Sequence, residues 1–257
     1  MANMFDLTGK VALLTGASKG MGLAMAQGLA ENGATVVISS RKQDQLDEAA
    51  AGINKAVGRD AAVGIACNIG YPEQVEALVA KTRSQVGPVD ILVGNAGVNP
   101  YYGSITDIPD DAYEKTMKSN VQSDLWLAKA VMGDMIEKGE GSMMFTSSIG
   151  AFKPSTSLGV YGMSKLALIG LIRNLAAELG PKGIRVNAIC PGLIKTDFAK
   201  ELWSNPAAKE RAENDIPLRR LGEAEDLAGL AVFLGSAASR YITGQAITVD
   251  GGSVMWT

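Results

Sequence analysis

The sequence predicts a doubly wound α/β fold, and three observations carry that prediction. Short runs rich in Val and Ile alternate with longer stretches of helical period, Gly, Pro, Asn and Asp punctuate the boundaries, and the apolar runs are nearly continuous rather than alternating. Strands apolar on both faces belong to a parallel sheet covered by helices on each side.

In chain order, the first strand is expected at 10–15, and an Ala-rich helix at 20–31 stops near Gly33. Strand 35–39 and helix 43–57 follow, then strand 61–67 and helix 72–86, the latter opened by Pro72. Strand 89–93 precedes a long helical pattern over 110–138, and strand 141–147 precedes helix 160–180. Strand 184–190, helix 223–235 and strand 246–249 complete the series. Residues 191–222, rich in Pro, Gly and charge, are an insertion beyond the carboxyl end of a strand, the position of a substrate lid. With no composition break elsewhere, residues 1–257 read as one domain.

The 257 residues include 24 basic and 27 acidic side chains but no histidine. That absence excludes Ser-His-Asp and Cys-His nucleophile systems, imidazole-ligated zinc and histidine general bases. Acid/base chemistry must run on Tyr, Lys, Cys or carboxylates. Cys67 and Cys190 lie far apart, outside any CxxC spacing, which argues against a thiolate metal site or a redox pair. A formal charge of −3 with both signs interspersed gives neither a nucleic-acid stripe nor a polybasic membrane patch. No apolar run is long enough to span a bilayer and the N-terminus has no secretory pattern, so a cytoplasmic protein is expected.

The first strand runs into Thr15-Gly-Ala-Ser-Lys-Gly-Met-Gly22 and then a helix. Glycines here let the backbone approach a pyrophosphate, whose charge sits on the free N–H groups and positive dipole end of the helix. The spacing of Gly16, Gly20 and Gly22 is GxxxGxG rather than GxGxxG, and a plain tight turn can use the same residues. At the end of the second strand, an acid would accept from a ribose 2′-OH and a base would meet a 2′-phosphate. The sequence reads Val37-Ile-Ser-Ser-Arg-Lys42, with no acid before Asp44, and Lys19 adds a cation from the loop. The pattern favours NADP, with Ser39 and Ser40 as neutral donors; Arg41 and Lys42 are also what a solvated helix start would carry.

In Tyr161-Gly-Met-Ser-Lys165 the phenol and the ammonium share one helix face. An adjacent cation favours phenolate, so Lys165 and an oxidised nicotinamide are both expected to push the phenol below its usual pKa of about 10. On its own a YxxxK pair is more often a surface pair. Ser148 stands thirteen residues before Tyr161, just past the fifth strand, with Ser147 beside it as the fallback. Asn120 sits inside the long helical pattern, where a lone amide is ordinarily a surface residue.

Together the TGxxxGxG loop at 15–22, Asn95-Ala-Gly97, Asn120, Ser148, Tyr161, Lys165 and Pro191-Gly192 resemble the short-chain dehydrogenase/reductase family over essentially the whole chain. The stretches 36–43, 95–103, 147–149 and 191–196 are most similar to its NADP-dependent carbonyl and retinal reductases. The resemblance implies a Rossmann-like sheet of seven mostly parallel strands with helices on both faces. It implies Tyr161 as acid or base, Lys165 lowering its pKa and holding the nicotinamide ribose, Ser148 on the substrate oxygen, and Asn120 positioning a water that links Lys165 to solvent. It implies dinucleotide contacts from Gly16, Ser18, Lys19, Gly20, Met21 and Gly22; from Ser40, Arg41 and Lys42; from Asn68 and Ile69; from Asn95, Ala96 and Gly97; and from Tyr161, Lys165, Pro191, Gly192, Ile194 and Thr196. Two departures stand out: Asn68 replaces the usual Asp, and NNAG reads Gly94-Asn-Ala-Gly97.

Tyr101, Tyr102, Phe152, Leu158, Phe198 and Trp203 are expected to give apolar walls suited to a hydrophobic or aromatic ketone or aldehyde, although ordinary packing uses the same residues. Family members pair the helices at 110–138 and 160–180 across a two-fold, which implies a homotetramer. The expected function is an NADP-dependent interconversion of alcohol and carbonyl. The alternatives are a 3-oxoacyl thioester reductase, which would place cations around the pocket mouth, and a non-catalytic NADP-binding sensor.

Overall fold

A computed structural model describes residues 3–196, 203 and 205–255. Seven strands, β1 (Val11–Thr15), β2 (Thr35–Ser40), β3 (Ala62–Ala66), β4 (Ile91–Gly94), β5 (Gly141–Thr146), β6 (Ile184–Pro191) and β7 (Ala246–Val249), form one sheet in the order β3-β2-β1-β4-β5-β6-β7. Every neighbouring pair is parallel. Because β1 lies between β2 and β4, the chain winds outward in one direction and then in the other. A crevice opens at the carboxyl ends of the strands at that switch point.

The helices are α1 (Gly20–Glu31), α2 (Gln43–Val57), α3 (Pro72–Gln85), α4 (Asp110–Met117), α5 (Ser123–Lys138), α6 (Gly159–Leu179), α7 (Pro206–Asp215) and α8 (Ala228–Gly235). Strand side chains alternate between two buried layers. Ala12, Leu14, Val36 and Ile38 pack with Leu29, Leu46 and Ala231 of α1, α2 and α8. Leu13, Val37, Met143 and Phe145 pack with Leu78, Val131 and Ile172 of α3, α5 and α6. This two-sided burial is why the strands read as continuous apolar runs.

The expected elements form, with three differences, the smallest being that the helix expected over 223–235 opens as a 3₁₀ turn at Ala224–Leu227 ahead of α8. The helix expected over 110–138 is broken into α4, a turn of π-helix at Lys118–Gln122, and α5. The wide turn carries Asn120 inward, where its side chain bonds another part of the fold rather than solvent. The insertion at 191–222, for which no element was expected, contains α7 and is tied back to the sheet through Gly192 N–H to the Val249 carbonyl at 3.0 Å and Leu218 N–H to the Gly251 carbonyl at 3.1 Å.

Asp90, just before β4, is buried and joins the amino end of the sheet to α5. Its carboxylate accepts from Val11 N–H at 2.8 Å and from Lys138 Nζ at 2.7 Å. Asp90→Ala leaves both donors without this acceptor and is expected to lower unfolding free energy by about 1–3 kcal/mol. The urea midpoint measures this, and a midpoint equal to that of the natural chain contradicts the assigned role.

Candidate active site

The glycine loop has the conformation its residue types allow. Gly16 and Gly20 adopt φ of +62° and +59°, and a Cβ on Gly16 would stand 2.8 Å from Ala96 Cα. At Gly22 a Cβ would overlap the Gly16 carbonyl and approach Asn95 Nδ2 to 2.7 Å, so α1 starts close beneath the loop. Lys19 caps α1 without a side-chain hydrogen bond to it, and the first turn contains no acid, which leaves the positive end of the helix facing the crevice. Asn95 ties three strand ends together. Its Nδ2 donates to the Gly16 carbonyl at 3.0 Å, its N–H donates to Thr15 Oγ1 at 3.2 Å, and its Oδ1 accepts from Thr146 Oγ1 at 3.1 Å.

A cleft of about 1710 Å³ runs from this loop along the carboxyl edge of the sheet. At the end of β2 the hydroxyls of Ser39 and Ser40 are buried with no hydrogen-bond partner among the described residues, and Arg41 lines the cleft beside them. Two orphaned hydroxyls, a cation and a helix start fit the phosphates of a dinucleotide. Asn68 faces the same cleft, its Oδ1 accepting from Gly70 N–H at 3.1 Å with a second lone pair to spare. Among the described residues no Asp or Glu lines the cleft.

At the other end of the cleft, α6 docks onto the turn that follows β5. A Cβ on Gly162 would stand 2.6 Å from the Gly150 carbonyl, and this close approach brings Tyr161 to Ser148. The Ser148 hydroxyl hydrogen-bonds the Tyr161 phenol and accepts from Gly150 N–H at 3.0 Å. Ser147 is committed elsewhere, donating to the Lys165 carbonyl at 2.9 Å, so the pair is Ser148 and Tyr161. Lys165 Nζ donates to the Thr146 carbonyl at 2.7 Å and lies 5.7 Å from the centre of the Tyr161 ring. Asn120 Oδ1 accepts from Val98 N–H at 2.8 Å, and its Nδ2 donates to the Val98 carbonyl at 2.9 Å and to Ser164 Oγ at 3.0 Å.

The electrostatics correct one expectation. Lys165 does not make the Tyr161 phenol unusually acidic in the protein alone: burial pushes it up to about 12, against a smaller opposing effect of the Ser148 hydrogen bond. The ammonium itself is buried and directed at a backbone carbonyl, and burial lowers its own pKa. Burial likewise pushes the Cys190 thiol up to about 11.

The cleft gathers most of the residues singled out from the sequence. Gly16, Ser18, Lys19, Gly20, Met21, Ser40, Arg41, Asn68, Ile69, Asn95, Ala96, Gly97, Ser148, Tyr161, Lys165, Pro191, Gly192, Ile194 and Thr196 line it, with Tyr102, Phe152 and Leu158 on the walls. Gly22 and Asn120 stand behind it as supports. Lys42, Tyr101 and Trp203 are not in the lining: Lys42 caps α2, a Cβ on Gly103 would overlie the Tyr101 hydroxyl at 2.5 Å, and the Trp203 indole donates to the Thr196 carbonyl at 3.3 Å. Phe198 lies outside the described residues. The sequence reading passed over Gly162, Lys115 and Lys153. Glycine next to the tyrosine was the one available signal for the first, and nothing local marked the two lysines.

A family model described as Enoyl-(Acyl carrier protein) reductase matches residues 16–254. The chain is 45% identical over 254 residues to human Dehydrogenase/reductase SDR family member 4, covering 98% of this chain and 90% of that protein. Among solved structures, it is similar to L-sorbose reductase from Gluconobacter frateurii, complexed with NADPH and L-sorbose, with a TM-score of 0.91, 34% identity and coverage of 99% and 100% of the two chains. It is also similar to 7α-hydroxysteroid dehydrogenase complexed with NADH and 7-oxo glycochenodeoxycholic acid, with a TM-score of 0.93, 35% identity and coverage of 100% and 99%. The likeness extends over nearly the whole of each chain in both sequence and fold. The chain belongs to the short-chain dehydrogenase/reductase family and is a nicotinamide-dinucleotide-dependent oxidoreductase.

Proposed function

We propose that this enzyme is an NADP-dependent carbonyl reductase for hydrophobic or aromatic ketones and aldehydes. The observation that carries the reading is the meeting of the Ser148 and Tyr161 hydroxyls in a cleft whose far end offers only cations and neutral donors. NADP preference is supported by Arg41, the orphaned Ser39 and Ser40 hydroxyls, Lys19 and the lack of a lining carboxylate among the described residues. Gly16, Ser18, Gly20, Met21, Gly22, Asn68, Ile69, Asn95, Ala96, Gly97, Pro191, Gly192, Ile194 and Thr196 hold the rest of the dinucleotide.

The bound dinucleotide supplies the hydride or accepts it. In reduction, Tyr161 donates its proton to the carbonyl oxygen while the Ser148 hydroxyl bonds the same oxygen and stabilises its developing charge. A phenol held near 12 is fully protonated at neutral pH, the form that reduction consumes. Lys165 stabilises the resulting phenolate. Asn120, whose side chain is held against Val98 behind the cleft, is assigned to the proton relay between Lys165 and solvent. Tyr102, Phe152 and Leu158 wall the substrate, and 191–222 is assigned as the lid. The same reading carries a single domain, a homotetramer and a cytoplasmic location. Among the described residues no helix is long and apolar enough to cross a membrane.

A second reading, reduction of 3-oxoacyl thioesters, is favoured by one observation: Lys115 and Lys153 line the cleft. Acetoacetyl thioesters turned over faster than free aromatic ketones would replace the first reading with the second.

Loss of NADPH absorbance with a panel of aromatic ketones, aldehydes and diketones tests the activity, and silence across the panel with cofactor still bound favours the sensor. Tyr161→Phe is expected to lower turnover by about 10²–10⁴-fold with NADPH binding retained; a variant at the natural rate contradicts the mechanism. Arg41→Ala removes a charge-assisted contact and is expected to raise KM for NADPH by about 10- to 100-fold without raising that for NADH. An equal rise for both cofactors rules out recognition of the 2′-phosphate by Arg41.

A further inference from the structure

The substrate end of the cleft sorts charge in a way that a neutral ketone does not call for. Asp107, Asp110, Asp111 and Glu114 follow one another along the start of α4 and the turn before it, and none of them lines the cleft. Lys115, the next residue, does. Lys153 lines it too, and its N–H donates to the Ile149 carbonyl at 3.0 Å, which ties it to the turn that presents Ser148. Both lysines are exposed as well as lining the cleft, so they stand at its rim, and neither forms an ion pair among the described residues.

These cations belong to the Tyr161 end of the cleft rather than to the glycine loop. Helix α4 packs on α6, the helix of Tyr161, and so does the turn Ile149–Ala151 just before Lys153. The wall there is apolar. Gly103 N–H donates to the Ser157 carbonyl at 3.1 Å, which joins the loop after β4 to the loop before α6, and Ile105 Cβ stands 3.0 Å from where a Cβ on Gly159 would lie. A further donor comes from Asn99, next to the Val98 that Asn120 holds through both backbone groups. Asn99 lines the cleft, and its Nδ2 is buried with no hydrogen-bond partner among the described residues. A buried donor without an acceptor is costly, and a ligand that brings an acceptor removes that cost.

We propose that the preferred substrate is a keto or aldehyde acid, an apolar carbonyl compound with a carboxylate remote from its carbonyl, and that Lys115 and Lys153 are the specificity-determining residues that meet this carboxylate. The proposal rests on the assignment of the cleft to carbonyl reduction and narrows its substrate class. The apolar body lies along the wall while two ammonium groups fix its far end, the usual division of labour in a pocket that is mostly apolar with a few placed charges. The carbonyl oxygen stays with Ser148 and Tyr161, so the lysines select the substrate and take no part in hydride or proton transfer.

The test follows NADPH oxidation with ω-phenyl-ω-oxoalkanoates of increasing chain length and with their methyl esters, which keep the aryl ketone and remove the charge. At the best-fitting length the acid is expected to exceed its ester in kcat/KM by about 10-fold or more, chiefly through KM, and the ratio should fall as salt is raised. Combining Lys115→Gln with Lys153→Gln is expected to bring the ratio close to unity, and the ester measured in the same preparation shows that the variant is folded. Quenching of bound NADPH fluorescence by acid and by ester gives the same comparison without turnover. Acids no better than their esters at every length overturn the proposal, and so does a preference for acids that survives the double substitution. Should neither acids nor esters be reduced while NADPH binds, the carbonyl-reductase reading falls and takes the proposal with it. Should esters be reduced as well as acids, only selection by charge is lost.

Discussion

The buried Lys165 ammonium sits beside the Tyr161 phenol at the carboxyl end of β5, and the surrounding chain is arranged to make that burial tolerable. A buried lysine without partners costs several kcal/mol. Lys165 is given the Thr146 carbonyl at 2.7 Å, while its own carbonyl is pinned by Ser147 at 2.9 Å, so both ends of the residue are fixed to the strand end. The same docking sets Tyr161 against Ser148, and it requires that position 162 be glycine, because any side chain there would strike the Gly150 carbonyl. The seat is thus a property of how α6 crosses the strand edge, not of the two residues alone.

Topology supplies the second half. Asn95 holds the ends of β1, β4 and β5 in one register, so the cradle for phosphate and the seat for the phenol are parts of one rigid edge. The cleft between them is lined by Lys19, Arg41, Lys115, Lys153, Lys165 and Lys195 and, among the described residues, by no acid, although the chain as a whole carries a formal charge of −3. A cleft of one sign with apolar walls concentrates an anionic cofactor there more than net charge alone would allow. Of these cations, Lys195 forms an ion pair with Glu223.

What the sequence made legible were features written locally. The strands were readable because two-sided burial leaves an unbroken apolar run, as in Val11–Thr15 and Thr35–Ser40, and the glycine loop because Gly16 and Gly20 need positive φ. The choice of Ser148 over Ser147 came from the family resemblance, whose spacing to Tyr161 it matches. Features that depend on what lies across the fold were not. Helix periodicity does not register the extra residue of the π-turn that carries Asn120 onto Val98. The pKa of Tyr161 was expected to fall because Lys165 is one turn away, but sequence spacing says nothing of burial, and burial dominates.

On the proposed mechanism the free protein stores its catalytic proton on the Tyr161 phenol. Ultraviolet difference titration of the natural chain against Tyr161→Phe, with and without NADP, tests it most directly. No Tyr161 phenolate is expected in the free protein up to the ordinary tyrosine pKa of about 10, with phenolate appearing at lower pH once the positively charged oxidised cofactor is bound. A phenolate already titrating near neutrality in the free protein would contradict it.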